Sequence, residues 1–211
     1  MKRIVFKEDN IDLEIIKNRL INDGVIIYPT DTVYGVGASI DSLKGLCKIY
    51  EIKERDFKSP LIALLSKVEY VEKIAIIDKE KKTIIEKLAN RFWPGALTII
   101  LNKKETVPDI IVSGGKTIGV RIPDLKLAQE IIESIGGILP TTSANISGEK
   151  TPRSFEELSE EFKKRVDIVV DGGKSPLGME STILDLTKTF PKILREGAIK
   201  KEIIEEVIGK I

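Results

Sequence analysis

Short apolar runs and amphipathic stretches alternate along the chain. Eight apolar runs predict strands, over residues 3–6, 24–28, 60–65, 96–101, 118–122, 167–171, 181–186 and 192–196. Six stretches with apolar residues at helical spacing predict helices, over residues 12–22, 41–53, 79–92, 124–135, 154–165 and 200–208. Ser154, with Glu157 three residues later, has the pattern of a capping box at the start of the fifth helix. Strands mixed with helices over this length predict an α/β or α+β domain built on a sheet.

The polarity of the chain changes abruptly after the apolar run GVIIY at residues 24–28. A proline ends the run, and Thr30, Asp31, Thr32 and Tyr34 follow. In a sheet flanked by helices, ligands gather where strand ends meet loops, so these side chains are candidates for ligand binding. The alternative is a turn without a ligand, because Pro, Asp and Thr are common turn residues. Residue type alone favours the turn.

The segment GGILPTTSANISG repeats this design later in the chain. A short strand is predicted to end at Pro140, and small hydroxyl residues, among them Thr141 and Ser143, follow it. Loops rich in Ser and Thr are common, so either segment alone is a weak signal. Two loops of the same design in one domain favour the interpretation that both line one cleft.

Basic residues stand at the ends of several predicted elements. Lys53 and Arg55 end the second helix, where the helix dipole favours cations, and a clamp for a triphosphate is the functional alternative. Arg121 lies inside an apolar strand, so it either pairs with a protein carboxylate or holds an anionic ligand. Arg195 lies at or near the end of the last predicted strand, where a weak surface ion pair is the alternative to ligand binding. Ser181 opens the strand before it.

Composition narrows the chemistry. The 211 residues include no histidine, which excludes a Ser-His-Asp triad, a Cys-His pair and a histidine-ligated metal within this chain. The single cysteine, Cys47, excludes an internal disulfide, which favours a cytoplasmic location. The net charge of +1 does not demand a nucleic-acid partner, and no apolar run approaches the length of a membrane span.

Seven segments, taken in order, resemble one protein family. They are YPTDTVYGVG, KER with the following PL, FWPGALTIIL, IGVRIPD, TTSANISG, STILDL and ILREGAI, and they span nearly the whole chain. This ordered set resembles the YrdC domain of L-threonylcarbamoyladenylate synthases. The resemblance implies an α/β fold, a single YrdC-like domain over residues 1–211. It implies a twisted mixed sheet flanked by helices around a large, concave, positively lined cavity.

The resemblance also implies an enzyme of the nucleotidyltransferase type. Such an enzyme makes threonylcarbamoyl-AMP and diphosphate from L-threonine, bicarbonate and ATP. ATP is then a substrate that arrives with Mg²⁺, and no tightly bound, protein-ligated metal is expected. Downstream transfer proteins use the product to form N6-threonylcarbamoyladenosine at position 37 of tRNA. Weak binding of tRNA is a further expectation, and membrane binding is not expected.

The resemblance assigns site roles position by position. The residues that match the family's L-threonine contacts are Thr32, Arg121, Thr141 and Ser181. The residues that match its ATP contacts are Arg55, Ser59, Thr117, Ser143, Thr151 and Arg195. Lys53, Arg55 and Arg195 are the expected catalytic residues, because they would neutralise charge on the leaving diphosphate. No side-chain nucleophile is needed if a carbamate oxygen attacks the α-phosphorus once both substrates are held together.

Two features depart from the longer members of the family, and two other functions stay open. Leu64 stands where many longer members have a histidine, although shorter bacterial-type members also lack it. Longer members carry a linker and a second domain after the segment that matches ILREGAI, whereas residues 1–211 are expected to form one domain.

One alternative function is a module that binds double-stranded RNA or tRNA without catalysis. The other is a carbamoyl-transfer domain of the kind found in hydrogenase maturation.

Overall fold

The computed structural model describes residues 3–54 and 56–211, and one mixed sheet runs through this part of the chain. Its strands are β1 (Ile4–Lys7), β2 (Val25–Tyr28), β3 (Gly35–Ala38), β4 (Ile62–Leu65), β5 (Ala75–Ile76), β6 (Leu97–Lys103), β7 (Thr117–Arg121), β8 (Ile138–Ser143), β9 (Ile168–Asp171), β10 (Thr182–Asp185) and β11 (Lys192–Arg195). Its α-helices are α1 (Leu13–Ile21), α2 (Leu43–Lys53), α3 (Val71–Ile74), α4 (Lys79–Phe92), α5 (Lys126–Ser134), α6 (Glu160–Lys164) and α7 (Lys201–Ile208).

The sheet combines parallel and antiparallel pairs. Its strand order is β1-β9-β2-β3-β8-β4-β7-β6-β10-β11, and β5 pairs with β6 outside this path. The strand β9 is parallel to both β1 and β2, β4 is parallel to β7, and β6 is parallel to β10. The other pairs are antiparallel. The expected α/β class with a mixed sheet and flanking helices is therefore confirmed.

Each face of the sheet carries a hydrophobic core. The larger core includes Ile99 and Val120 and is covered by α2, α4 and α7. The smaller core lies beneath α1 and α5, where Ile16 and Ile131 pack with Leu64. Because these two helices cover only part of their face, the surface over β4, β7, β6 and β10 stays open and forms the floor of a cavity. Over the described ranges, we find no helix with the length and apolar character of a membrane span.

Strand alternation decides which side chains face this cavity. On β7, Ile118 and Val120 lie in the larger core, whereas Thr117, Gly119 and Arg121 line the cavity. The strands β4 and β6 alternate in the same way. This alternation explains why an arginine stands among apolar residues in the sequence, since its neighbours along the strand point to the opposite face.

Most of the predicted elements are confirmed. The eight predicted strands are present, with their ends shifted by at most two residues, and so are five of the six predicted helices. The fifth predicted helix is wrong in its first half, because α6 begins only after Ser159, whose side chain caps it. Ser154 instead forms a β-bridge with Lys174, and the Glu157 carboxylate accepts the amide N–H of Arg153. The predicted capping box is therefore absent.

Two strand segments next to the cavity differ from the sequence expectation. The strand β3 reads GVGA, and its two glycines weaken the strand signal. A Cβ atom on Gly37 would lie only 2.9 Å from the Oγ1 atom of Thr141, so glycine allows β8 to approach. The predicted strand end at Pro140 is wrong, because β8 continues to Ser143 and pairs with β3 and β4 on either side of the proline.

Candidate active site

The cavity over the open part of the sheet has a volume of about 480 Å³. Arg121 and Arg195 both line it, so the two guanidiniums share one chamber. The sequence-predicted site residues on its wall are Thr32, Ser59, Thr117, Arg121, Thr141, Ser143, Ser181 and Arg195. Thr151 lies in a side recess next to the cavity, Lys53 lies in the protein interior, and Arg55 is outside the described residues.

The loop after β2 is built around the hydroxyl of Thr30. Its Oγ1 atom donates to the carbonyl of Val33 at 2.7 Å and accepts the backbone N–H groups of Thr32 at 3.2 Å and Val33 at 3.3 Å. This is the local side-chain turn that Ser and Thr favour. The turn and the ligand-binding interpretation are therefore compatible, because the turn places the Thr32 side chain on the cavity wall.

Arg121 is held by three protein contacts. Its Nε atom donates to the carbonyl of Gly95 at 2.9 Å, its Nη1 atom donates to Thr32 Oγ1 at 2.8 Å, and its Nη2 atom pairs with the carboxylate of Asp31. Both charged side chains are buried, with 6% and 3% of their surfaces exposed. Of the two interpretations that the sequence left open for this arginine, pairing with a protein carboxylate is confirmed. Arg121 also lines the cavity, and its role in holding an anionic ligand stays a prediction.

Two N–H groups of Arg121 remain for a ligand. A guanidinium has five N–H donors, and the contacts that the structure describes use one on each of its three nitrogens. One donor is left on each terminal nitrogen, and a carboxylate can accept from such groups. Burial lowers the pKa of Arg121, and Asp31 opposes this effect. An arginine pKa starts so high that the group stays charged.

Burial also disfavours the charged form of Asp31, the carboxyl group that pairs with Arg121. Burial raises the pKa of Asp31, and the positive charge of Arg121 opposes the rise. One carboxylate oxygen, Oδ2, is buried without a hydrogen-bond partner among the described residues. Asp31 therefore depends on Arg121 to remain ionised in the interior.

The two threonines beside Arg121 present hydrogen-bond acceptors to the cavity. The Thr30 proton goes to Val33, so in the 3.0 Å contact between Thr30 and Thr32 it is Thr32 that donates. Thr141 donates to the carbonyl of Leu139 at 2.9 Å and accepts from Tyr28 at 2.8 Å. Burial raises the pKa of Tyr28, which keeps its hydroxyl a donor. The remaining capacity of Thr32 and Thr141 is therefore a lone pair on each, which suits an ammonium group.

Arg195 and Ser181 form a second group of polar side chains on the cavity wall. The Nε and Nη2 atoms of Arg195 donate to the Ser181 carbonyl at 3.1 Å and 3.0 Å, and Nη2 also lies 3.3 Å from Ser181 Oγ. The Ser181 hydroxyl lies 2.8 Å from Thr98 Oγ1. The Nη1 atom of Arg195 pairs with Glu180 at 2.8 Å, so the expected alternative of an ion pair is present and Arg195 lines the cavity as well.

Lys53 does not reach the cavity wall. Only 1% of its surface is exposed, and its Nζ atom donates to the carbonyls of Ser143 at 2.5 Å and Asn145 at 2.6 Å. The sequence placed this lysine at the leaving diphosphate, and the structure instead fixes it beneath the loop that carries Ser143. Lys58, which follows in the next loop, does line the cavity.

Two acidic residues of the site have partners that the sequence does not predict. Asp31 lies in the polar segment after the strand at residues 24–28, where it is a candidate for ligand binding, and the structure pairs it with Arg121. Glu180 precedes Ser181, and it is the one carboxylate on the cavity wall within residues 3–54 and 56–211. The position next to a predicted site serine was the available signal. Leu64, the position of departure from longer family members, contributes an apolar patch to the cavity floor.

Comparisons with known proteins find relatives of this chain by sequence and by fold. A family model for Sua5, YciO and YrdC proteins, described as "Telomere recombination", matches residues 18–197. The chain is 40% identical over 192 residues to a threonylcarbamoyl-AMP synthase of Pyrococcus abyssi, covering 90% of this chain and 56% of that protein. It is 38% identical over 188 residues to a threonylcarbamoyl-AMP synthase of Bacillus subtilis, covering 89% and 54%. The chain thus spans little more than half the length of these two relatives.

A solved structure shares the whole fold. The crystal structure of Pyrococcus abyssi Sua5 complexed with L-threonine superposes with a TM-score of 0.91 at 36% identity. The superposition covers 100% of this chain and 62% of that one.

Proposed function

The chain belongs to the Sua5, YciO and YrdC family, and from this premise we propose that it is a threonylcarbamoyl-AMP synthase. The proposed reaction converts L-threonine, bicarbonate and ATP into L-threonylcarbamoyladenylate and diphosphate. The observation that carries the proposal is that Arg121, with two donors left for a carboxylate, lines the same cavity as Arg195. Downstream tRNA-modifying proteins in the cytoplasm would consume the product.

The end of the cavity around Arg121 suits a zwitterionic amino acid. The two remaining N–H groups of Arg121 bind the substrate carboxylate, and the lone pairs of Thr32 and Thr141 accept from its ammonium group. Ser181, which contacts Arg195, also lines the cavity and is a further proposed contact of the amino acid. This division of donors and acceptors favours an α-amino acid over a simple carboxylic acid.

We propose that the nucleotide binds along the rest of the cavity wall. Arg195 supplies positive charge, and Ser59, Thr117 and Ser143 are further residues with hydroxyl groups that line the cavity. Lys58, an exposed cation on the wall, is an additional candidate for a phosphate contact. Mg²⁺ would arrive with ATP, held mainly by phosphate oxygens, as is usual for this ion. Arg55 and Thr151 remain proposed ATP contacts.

The proposed chemistry uses proximity and charge. The threonine ammonium first loses a proton to solvent. The free amine then adds to carbon dioxide and releases a second proton, or condenses with bicarbonate and releases water, and either route gives a carbamate. A carbamate oxygen attacks the α-phosphorus of ATP, and the bond to the leaving diphosphate breaks. The chain's part is to hold two anions side by side and to offset the charge that develops on the leaving group. Arg195 is placed for that task. We propose that Lys53 supports the Ser143 loop from below instead of contacting the diphosphate.

Diphosphate release tests this function directly. The protein is incubated with ATP and bicarbonate, with each amino acid added in turn, and release is expected only with L-threonine. Arg121→Ala is expected to weaken mainly threonine binding, and Arg195→Ala mainly the use of ATP. Equal release with and without threonine would overturn the proposal. Steeply salt-dependent RNA binding without diphosphate release would support the RNA-binding alternative, and a preference for carbamoyl phosphate would support the carbamoyl-transfer alternative.

A further inference from the structure

Glu180 contacts two residues that are proposed to bind ATP. Its Oε2 atom accepts from Arg195 Nη1 at 2.8 Å, and its Oε1 atom lies 3.4 Å from Thr151 Oγ1. The Glu180 carboxylate thus sits where phosphate oxygens would meet the same two groups. The Glu180 and Arg195 side chains are 39% and 37% exposed, so solvent and incoming anions can reach the pair.

Glu180 occupies one terminal nitrogen of Arg195. The Nε and Nη2 atoms of Arg195 are directed at Ser181, and Nη1 pairs with the Glu180 carboxylate. A phosphate that approaches Nη1 therefore competes with Glu180 for this nitrogen.

The position of Thr151 leads to the same conclusion. It does not line the cavity but a side recess of about 270 Å³, whose other lining residues include Lys150 and Arg153. The recess and the cavity have Val33 and Glu180 in common. A nucleotide in the cavity therefore reaches Thr151 by passing the Glu180 side chain.

We propose that Glu180 is a positioning residue that occupies the phosphate subsite while the site is empty and is displaced by the phosphates of ATP. In the empty site its carboxylate holds Arg195 in place, and in the nucleotide complex a phosphate takes over Arg195 Nη1 and opens the way to Thr151. A half-exposed ion pair is weak, so a multiply charged phosphate can replace it. The displaced carboxylate then repels the phosphates, which lowers affinity for ATP and for the diphosphate product. This inference rests on the proposed function.

Calorimetric titration tests the proposal with ATP, inorganic diphosphate and L-threonine as separate probes. Glu180→Gln removes the charge but keeps the shape, and we expect it to lower the Kd for ATP and for diphosphate roughly three- to tenfold. The Kd for L-threonine should stay unchanged, because Arg121 does not contact Glu180. In an Arg195→Ala background, Glu180→Gln should tighten diphosphate binding by a smaller factor, because the competition for Arg195 is gone and only the repulsion between the carboxylate and the phosphates remains to be removed. A merely structural role of Glu180 would not produce this dependence on Arg195.

A matched control separates this contact from a general loss of negative charge. Glu161→Gln removes the same charge from another arginine–glutamate pair, with Arg165, away from the cavity. It should leave all three affinities unchanged. Thermal melts show whether Glu180→Gln is folded, and Glu180→Ala provides a second variant that also lacks the carboxylate. Unchanged or weaker ATP binding in both Glu180 variants, or equal tightening in Glu161→Gln, overturns the inference alone. Failure of the unmodified protein to bind either L-threonine or ATP overturns the proposed function together with the inference.

Discussion

Removal of the charge pair behind the proposed threonine subsite separates binding from stability. Arg121→Gln alone leaves Asp31 buried and unpaired, so affinity and stability would fall together. The double variant Asp31→Asn with Arg121→Gln removes both charges and keeps side chains that can still hydrogen-bond. We therefore expect the double variant to recover much of the stability that the single variant loses, while threonine binding remains weak.

The magnitudes follow from the contacts. Breaking a buried ion pair from one side costs about 3–5 kcal/mol of stability, because the remaining charge is uncompensated. For binding, two charged hydrogen bonds to the threonine carboxylate are lost and at most one neutral bond replaces them, a loss of about 2–4 kcal/mol. That range corresponds to about a 30- to 1,000-fold increase in the Kd for L-threonine.

The pH dependence of stability adds an independent check. Burial already raises the pKa of Asp31, and Arg121→Gln removes the charge that opposes the rise. A raised carboxyl pKa means that Asp31 holds its proton more tightly in the folded protein than in the unfolded chain. The stability cost of burying the ionised carboxylate is therefore absent at pH values below the pKa of the unfolded chain and complete above the pKa of the folded protein. The stability gap between the single and double variants should therefore narrow as the pH falls.

Two measurements check these expectations. Calorimetry gives the Kd for L-threonine and for ATP, and urea unfolding at several pH values gives the free energy of unfolding. The Kd for ATP should change little in the double variant, which serves as the internal control. The reasoning is refuted if the double variant binds L-threonine as tightly as the unmodified protein.

Three further predictions use the same assays. Lys53→Met leaves the backbone carbonyls of Ser143 and Asn145 without their buried donor. Urea unfolding should show that the free energy of unfolding falls by about 2–4 kcal/mol. Thr32→Val removes an acceptor, so the Kd for L-threonine should rise about tenfold with ATP binding unchanged, and an unchanged threonine Kd would contradict the assignment. The hydrogen bond from Lys67 is the largest cause of the lowered pKa of Glu133. Glu133→Gln should therefore lower the free energy of unfolding by about 1 kcal/mol at pH 7. That cost should disappear as the pH falls below about 4.5.

The sequence identified strand-end hydroxyls and arginines but not their partners. Arg121 is 90 positions from Asp31, and their contact depends on a strand order in which β7 lies next to β4 and the loop after β2 folds back over the sheet. Periodicity reports which face a residue occupies, but it carries no information on which strands are neighbours. The same limit hid Glu180, whose importance lies in contacts with Arg195 and Thr151.

Lys53 shows a different limit. The position of Lys53 at a helix end allowed either a favourable interaction with the helix dipole or a phosphate clamp, and its expected catalytic role came from the family resemblance. The structure buries it because the loop after β8 turns two carbonyls toward the end of α2, where an ammonium satisfies both. Loop conformation of this kind is set by tertiary packing and leaves no periodic signal in the sequence.

The alternation of β7 explains how the fold can carry a charged cleft without losing its core. Ile118 and Val120 are buried in the larger core, while Thr117 and Arg121 face the cavity from the same five residues. A substitution on the cavity face therefore alters ligand contacts, whereas one on the core face alters packing. Arg121 is the exception, because it lines the cavity and its buried pair with Asp31 also contributes to the stability of the fold. This shared role is why the neutral double variant, and not a single substitution, can separate the affinity of the site from the stability of the sheet.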